Sequence, residues 1–361
     1  MHELVLKYPV ASSCRIVTGN GVLDHFARFA GESMLMQTAV IITDSNVGSL
    51  YAGQVAGNLA TAGISAEIIT LPAGENSKNL ESVTAVYRKL AELHADRGTE
   101  IIALGGGVIG DLAAFTASTY LRGLPLLHIP TSLLAQVDSS IGGKTGVNFD
   151  GLKNQIGTYY HAHLVVSDTA VLSTLPKIEY INGIAEIIKS ASIADGELFS
   201  LLEGNIEAVL NRKKELLEEI IFRTIKIKGQ LATGDERDAS SRRLLNFGHT
   251  IGHGIESATG LSVRHGQAIA VGMIAAARIA RKLEFLGSND LSRLKNLVSR
   301  AGLPLRIEGL NPEAVIDAIR YDKKIINGQV NFVLIKDLGN SFVSQEVTPE
   351  MIKTALLEEN E

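Results

Sequence analysis

Apolar residues in the first half of the chain come in short runs that stop at polar or glycine-rich residues. "AVIITDSNV" (39–47), "AEIITLPAGE" (66–75), "TEIIALGGG" (99–107) and "LPLLHIPTS" (124–132) all have this form, which predicts strands. "SVTAVYRKLAELHADRG" (82–98) lies between the second and third, with apolar positions at helical spacing. Strands alternating with helices predict a parallel sheet whose functional loops lie at the carboxyl ends of its strands. After about Leu175 the period changes. Residues 178–232 are helical in spacing almost throughout, 265–287 and 290–302 follow suit, and only "QVNFVLIKDLG" (329–339) reads as a late strand pair or hairpin. The pattern therefore predicts an α/β domain over 1–175 and a mainly α-helical domain over 176–361.

A length of 361 residues suits two domains, each with its own core. With 45% hydrophobic and 20% charged residues, the composition excludes a disordered or fibrous chain. The net charge of −5 argues against a nucleic-acid partner held by bulk electrostatics, so an anion must be held by local placement. Cys14 is the only cysteine, which rules out an internal disulfide and a thiolate zinc cluster. "MHELVLKYPV" lacks the pattern of a secretory signal, and no apolar stretch approaches the ~20 residues of a membrane span. The expectation is a cytoplasmic protein with no membrane partner.

"GGGVIG" (105–110) fits G-x-G-x-x-G between a strand and the helix-like "DLAAFTAST", the context in which backbone N–H groups at a helix start cradle a phosphate. The ribose-binding acid expected ~20 residues later is replaced by "LLHIP", and a tight turn explains the glycines equally well. Asp44, Glu75 and Lys78 stand at neighbouring strand ends. A cap or a solvated loop accounts for each alone, whereas together they point to a nucleotide. In "TSLLAQVDSSIGGKTGVNFDGLKNQIG" (131–157), Thr131 and Ser132 open a helix containing Asp138. Gly142 and Gly143 then let the backbone approach an anion, while Lys144 and Lys153 bring positive charge from a loop that lacks the P-loop frame.

His249 and His253 are four residues apart and share a helical face, His265 opens a later helix, and Glu186 and Lys189 lie three apart on another. Two histidines and a carboxylate make a mononuclear metal site with open positions, zinc being the default ion. Packing histidines are the alternative, and spacing leaves open which of His249 and His253 is the ligand. Lys189, Lys228, Arg242, Arg243, Lys323 and Lys324 are cations that suit a small polyanionic substrate.

With these residues, the chain resembles the 3-dehydroquinate synthase family over nearly its whole length. "PAGENSK", "GGGVIGD", "TYLRG", "TSLLAQVDSSIGGKTGVN", "GLKNQIG", "GIAEIIK", "LLNFGHTIGH", "HGQAIAVGM" and "DKK" occur in that family's order and spacing. The resemblance implies a Rossmann-like NAD domain, a helical metal domain and an active site between them. It makes Glu186, His249 and His265 the ligands of Zn2+ (or Co2+), with His253 handling protons. NAD would be lined by Asp44, Asn46, Glu75, Lys78, Gly107, Val108, Gly110, Asp111, Thr131, Ser132, Asp138, Ser139, Lys144, Lys153, Leu172 and Thr174. Substrate phosphate, carboxylate and hydroxyls would be held by Asp138, Lys144, Asn154, Lys189, Lys228, Arg242, Asn246, His253 and Lys324. Arg122 would reach the phosphate, across the interface of a homodimer. Lys144, Lys189, Lys228, Asn246 and His253 would carry the chemistry.

The implied reaction turns 3-deoxy-D-arabino-heptulosonate 7-phosphate into 3-dehydroquinate and phosphate, by transient oxidation at NAD, phosphate elimination, reduction and intramolecular aldol closure. Sister cyclases giving inosose or valiolone products and a metal-dependent polyol dehydrogenase are the rivals; a nucleotide-binding module with a structural zinc is the non-enzymatic one. Three departures from the family pattern stand out: "YYHAHL" (159–164) in place of an aromatic-Gln-Pro stretch, Asp238 in place of glutamate, and Gln267 in "HGQA".

Overall fold

The computed structural model describes residues 1–7, 13–33, 37–233, 235, 241–260, 262–320 and 331–358. It divides into two compact units, Met1–Leu175 and Pro176–Glu361. Asp238, Lys323 and Lys324 lie outside the described residues.

The first unit is built on a seven-stranded sheet. Its strands are β1 (His2–Lys7), β2 (Ser13–Gly19), β3 (Thr38–Asp44), β4 (Ser65–Leu71), β5 (Thr99–Gly105) and β6 (Leu126–Pro130), with β9 (Leu164–Asp168) after a separate hairpin of β7 (Lys144–Phe149) and β8 (Leu152–Tyr159). The order is β1-β2-β9-β6-β5-β3-β4. β1 runs antiparallel to β2 and the other pairings are parallel. β5, β6 and β9 are buried at every position, which is why they read as unbroken apolar runs rather than alternating ones. From β3 the chain steps outward to β4, then crosses to the other side of β3 to form β5. This reversal leaves a crevice beyond the carboxyl ends of β3 and β5, the place where open α/β sheets bind ligands.

The helices of this unit are α1 (Phe26–Ser33), α2 (Ser45–Val47), which runs through a wider turn into α3 (Gly53–Thr61), then α4 (Leu80–Glu92) and α5 (Gly107–Thr119). The helix expected over 82–98 starts and stops earlier. Asn79 caps it by accepting a hydrogen bond from Ser82 N at 2.8 Å, and His94 leaves the helical region with φ 55°. The larger correction concerns 144–159, expected as a loop and found as the β7–β8 hairpin. Its register pairs Phe149 with Leu152, and the two turn residues Asp150 and Gly151 both have positive φ, 51° and 75°. That is a type I′ turn, for which Asp-Gly is a preferred sequence.

The second unit contains α6 (Lys177–Ala194), α7 (Gly196–Leu210), α8 (Lys214–Thr233), α9 (His249–Ala258), α10 (His265–Lys282), α11 (Ser288–Arg300), α12 (Pro312–Arg320) and α13 (Pro349–Leu357), with an antiparallel hairpin of β10 (Phe332–Asp337) and β11 (Asn340–Ser344). α10 is buried on all sides from Ala268 to Ala280, so it is the central helix. Backbone contact with its neighbours is unusually close. A methyl group built on Gly272 of α10 would lie 2.0 Å from the carbonyl oxygen of Gly248, just before α9, and one on Gly266 would lie 2.4 Å from that of Asn182 in α6. Two glycines thereby draw α6, α9 and α10 together. Among the described residues, no helix is long and apolar enough to cross a membrane.

Candidate functional site

In the first unit the glycine turn lies where β5 ends. Gly106 precedes α5 in an extended conformation, and Gly110 N returns to Gly106 O at 2.9 Å. Methyl groups on Gly106 and Gly107 would lie 3.4 Å from Ser132 Oγ and 3.2 Å from Ser139 Oγ. Thr131 N donates to Gly105 O at 3.0 Å, and Ser132 Oγ caps the next helical segment by accepting from Ala135 N at 3.2 Å. Thr131, Ser132, Ser139, Gly107, Val108 and Gly110 therefore gather around one bare helix start. Asp138 is half-buried in the same segment. The backbone amides of this turn and two adjacent hydroxyls fit a dinucleotide pyrophosphate.

Asp44 ends β3, where its Oδ1 accepts from Asn46 N at 2.9 Å and Val47 N at 3.0 Å. It is thus a helix cap whose second oxygen makes neither bond. Lys78 is buried and paired, its Nζ 2.5 Å from Asp111 and 2.6 Å from Asn154 Oδ1. Asn148 Nδ2 donates to Glu75 at 2.8 Å, and Asn154 N donates to Asn148 Oδ1 at 3.0 Å. Asn148, absent from the sequence reading, joins Asn154 in tying the hairpin to Glu75 and Lys78, its N donating to Lys78 O at 2.9 Å. Lys144 begins β7 and Lys153 lies in β8, both exposed. Arg122 is exposed in a turn with φ 67°, after Leu121 at φ 48°. Leu172 is buried, and Thr174 Oγ1 lies 2.7 Å from Tyr51 Oη.

In the second unit the structure brings Glu186, His249 and His265 together. Nε2 of His249 and Nε2 of His265 each lie 3.5 Å from the same atom, Glu186 Oε1. That oxygen is buried and makes no hydrogen bond, a costly state for a carboxylate unless something else satisfies it. His249 Nδ1 lies 3.2 Å from Phe247 O and His265 Nδ1 lies 3.4 Å from Glu256 Oε2. With both rings neutral, donation from the Nδ1 atoms would leave both Nε2 lone pairs facing Glu186, the arrangement by which carbonyl or carboxylate partners orient metal-binding histidines. The donor set fits a divalent cation. Glu256, buried and three residues after His253, is absent from the sequence reading, although its helical spacing was the available signal.

The electrostatics keep Glu186 ionised. Burial opposes the charged form of Glu186, but Lys189, His249 and His265 outweigh it and hold the carboxyl well below its usual value. Burial also drives His249 well below the usual histidine value, whereas at His265 the Glu186 and Glu256 carboxylates outweigh burial and raise it to about 9, so without an ion this ring carries a proton that metal binding would displace. Lys189 Nζ pairs with Glu186 Oε2. The rings of His253 and His249 are 5.3 Å apart, those of His253 and His265 6.1 Å. A second group, His253, Glu256 and His265, also has ligand atoms within 4.8 Å of one another. The orphaned oxygen favours the first. Lys228 and Arg242 are buried and Asn246 is half-buried; Arg242 N donates to Asp235 Oδ2 at 3.3 Å.

Residues 68–182 match a model of the 3-dehydroquinate synthase N-terminal region and 183–325 one of its C-terminal region. The chain belongs to the 3-dehydroquinate synthase family. A 3-dehydroquinate synthase of Dehalococcoides mccartyi strain CBDB1 is 42% identical over 344 residues, covering 95% of this chain and 96% of the relative. One of Desulforamulus reducens is 42% identical over 334 residues, covering 92% and 93%. Among solved structures, the valiolone synthase ValA of Streptomyces hygroscopicus, with NAD+ and Zn2+ bound, superposes with a TM-score of 0.87 at 29% identity, covering 95% of each chain. A 2-deoxy-scyllo-inosose synthase with carbaglucose-6-phosphate, NAD+ and Co2+ gives 0.88 at 26% identity, covering 98% of this chain and 99% of that one. The parallel-sheet unit followed by a helical unit is the family's architecture, as its sequence patterns led one to expect.

Proposed function

We propose that the chain is a 3-dehydroquinate synthase, converting 3-deoxy-D-arabino-heptulosonate 7-phosphate into 3-dehydroquinate and inorganic phosphate. The observation that carries this reading is Glu186 Oε1, buried without a hydrogen bond and facing two histidine nitrogens, in a chain 42% identical to 3-dehydroquinate synthases over most of its length. When bound, NAD supplies a hydride acceptor that is regenerated each turn, and zinc supplies a Lewis acid that acidifies a substrate hydroxyl.

The chain's own residues do the rest. Glu186, His249 and His265 hold the ion, and Glu256 orients His265. The amides of the α5 start, with Ser132 and Ser139, hold the pyrophosphate, while Asp44, Glu75 and Lys78 receive the remainder of the dinucleotide together with Asn46, Asp111, Thr131, Asp138, Lys153, Leu172 and Thr174. Lys144, Asn154 and Arg122 receive the phosphate and stabilise its departure. Lys189, Lys228, Arg242 and Asn246 bind the carboxylate and hydroxyls, and Lys324 joins them by its place in the family motif. His253, beside His249, moves the proton. The substrate carboxylate decides against the sister cyclases and the polyol dehydrogenase: buried Lys228 and Arg242 suit an acid group that inosose and valiolone products lack. The same reading makes the protein a cytoplasmic homodimer with zinc as its ion.

The test is release of inorganic phosphate from the heptulosonate phosphate. It should require NAD, stop with a chelator and resume with zinc. Absence of phosphate release with both cofactors supplied would overturn the proposal.

A further inference from the structure

Two cation-bearing turns in the first unit are held in uncommon backbone conformations, and one dipeptide touches both. Around Arg122, Leu121, Arg122 and Gly123 take φ of 48°, 67° and 126°; ahead of Lys144, Gly142 and Gly143 take 92° and 72°. Successive residues in the left-handed region, two of them not glycine, persist only where surrounding contacts hold them. Tyr160 Oη donates to Leu124 O at 2.7 Å, just beyond the first turn, and a methyl group on Gly123 would lie 3.1 Å from that hydroxyl. Tyr160 N donates to Gly143 O in the second turn at 2.7 Å. The His161 ring then packs against Gly143 so closely that a methyl group there would lie 2.6 Å from Nδ1 and 3.1 Å from Cγ.

We infer that Tyr160 and His161 are positioning residues that set the Arg122 turn and the Gly143–Lys144 turn for a phosphate group. This rests on the proposed reading of Arg122 and Lys144 as phosphate-directed cations. The physical basis is that Lys144 is a point charge on a flexible stem, so its usefulness depends on where the backbone launches it. His161 blocks the space into which the Gly142–Gly143 turn would relax, and the Tyr160 hydroxyl fastens the chain leaving the Arg122 turn.

The experiment measures calorimetric binding of inorganic phosphate to the NAD- and zinc-loaded protein, alongside KM for the heptulosonate phosphate. His161→Ala should weaken phosphate binding and raise KM by about tenfold, and Tyr160→Phe by a smaller factor, a sub-ångström shift of a binding group being enough. His161→Phe, which keeps a flat ring against Gly143, should stay within about twofold of the parent. The thermal midpoint should not change, and NAD affinity should fall by less than phosphate affinity. Parent-like phosphate binding in both His161→Ala and Tyr160→Phe would overturn the inference. So would a parallel loss of NAD affinity and stability, a His161→Phe variant as weak as His161→Ala, or a parent that binds no phosphate. Should the parent bind phosphate yet release none from the heptulosonate phosphate, the proposed activity fails while the binding comparison still decides this one.

Discussion

Nδ1 of His265 lies 3.4 Å from the carboxylate of Glu256, while Nε2 of the same ring faces Glu186 at 3.5 Å. The ring is held from behind by an acid that itself binds no ion in the proposed site. Partners of this kind are worth about 10- to 100-fold in metal affinity. Glu256→Gln should weaken zinc binding by that factor, measured by competition with a chromogenic chelator, and leave the helical content unchanged. An unaltered zinc affinity would remove Glu256 from the site.

The two ligand classes should differ on truncation. His249→Ala should lose zinc and turnover while the protein stays folded. Glu186→Ala should lose both and also destabilise the chain, because Lys189, 1% exposed, pairs with that carboxylate. Removing one member of a buried ion pair costs about 3–5 kcal/mol. Denaturant titration of the metal-free proteins separates the cases: equal stability of the two variants would contradict the assignment.

Gly272→Ala should be among the most damaging single methyl additions in the helical unit. The new carbon would sit 2.0 Å from Gly248 O, against backbone that cannot turn aside as a side chain can. Overpacking commonly costs about 1–3 kcal/mol, and a contact with backbone belongs at or above the upper end. The expected result is a lower thermal midpoint together with lost zinc, since His249 and His265 flank this contact. A variant with full zinc content and parent-like stability would show that α9 and α10 can separate without harm.

His128 predicts a pH dependence for the first unit. It lies buried in β6 with its Cε1 3.7 Å from where a methyl group on Gly110 would stand, and burial lowers its pKa from 6.5 to about 4. Below pH 6.5 the unfolded chain takes a proton that the folded chain refuses until about pH 4. The stability is therefore present above 6.5 and lost as the pH falls through about 4. At 1.36 kcal/mol per pKa unit, the parent should lose about 3 kcal/mol more than His128→Leu between pH 7 and pH 4. Parallel stability curves would refute it.

The parts of the protein that were legible in its sequence are those whose signals are local. The run from β5 through the glycine turn into α5 needs only apolar residues, three glycines and a helical period. The His249–His253 pair and Glu186–Lys189 follow from helical spacing alone. Other features depend on distant partners. β2 is a strand because β9 lies beside it, almost the length of the unit away in sequence, and nothing near Tyr160 marks the turns it touches. The β7–β8 hairpin is a different kind of omission. Its Asp-Gly turn is a local hairpin signal, but the lysines and glycines around it give the stretch the composition of an anion-binding loop. Asp44 shows the converse, since cofactor contact and helix capping ask for the same residue at the same strand end, and the capping role is the one whose hydrogen bonds the structure contains.

Glu186 and the two histidines that converge on its Oε1 belong to α6, α9 and α10, and α6 is far from the other two along the chain. An ion seated there works as a removable cross-link, adding to the folding equilibrium in proportion to the logarithm of its free concentration. When zinc is scarce the helical bundle would then open more often, and its susceptibility to proteolysis would track the supply of the metal.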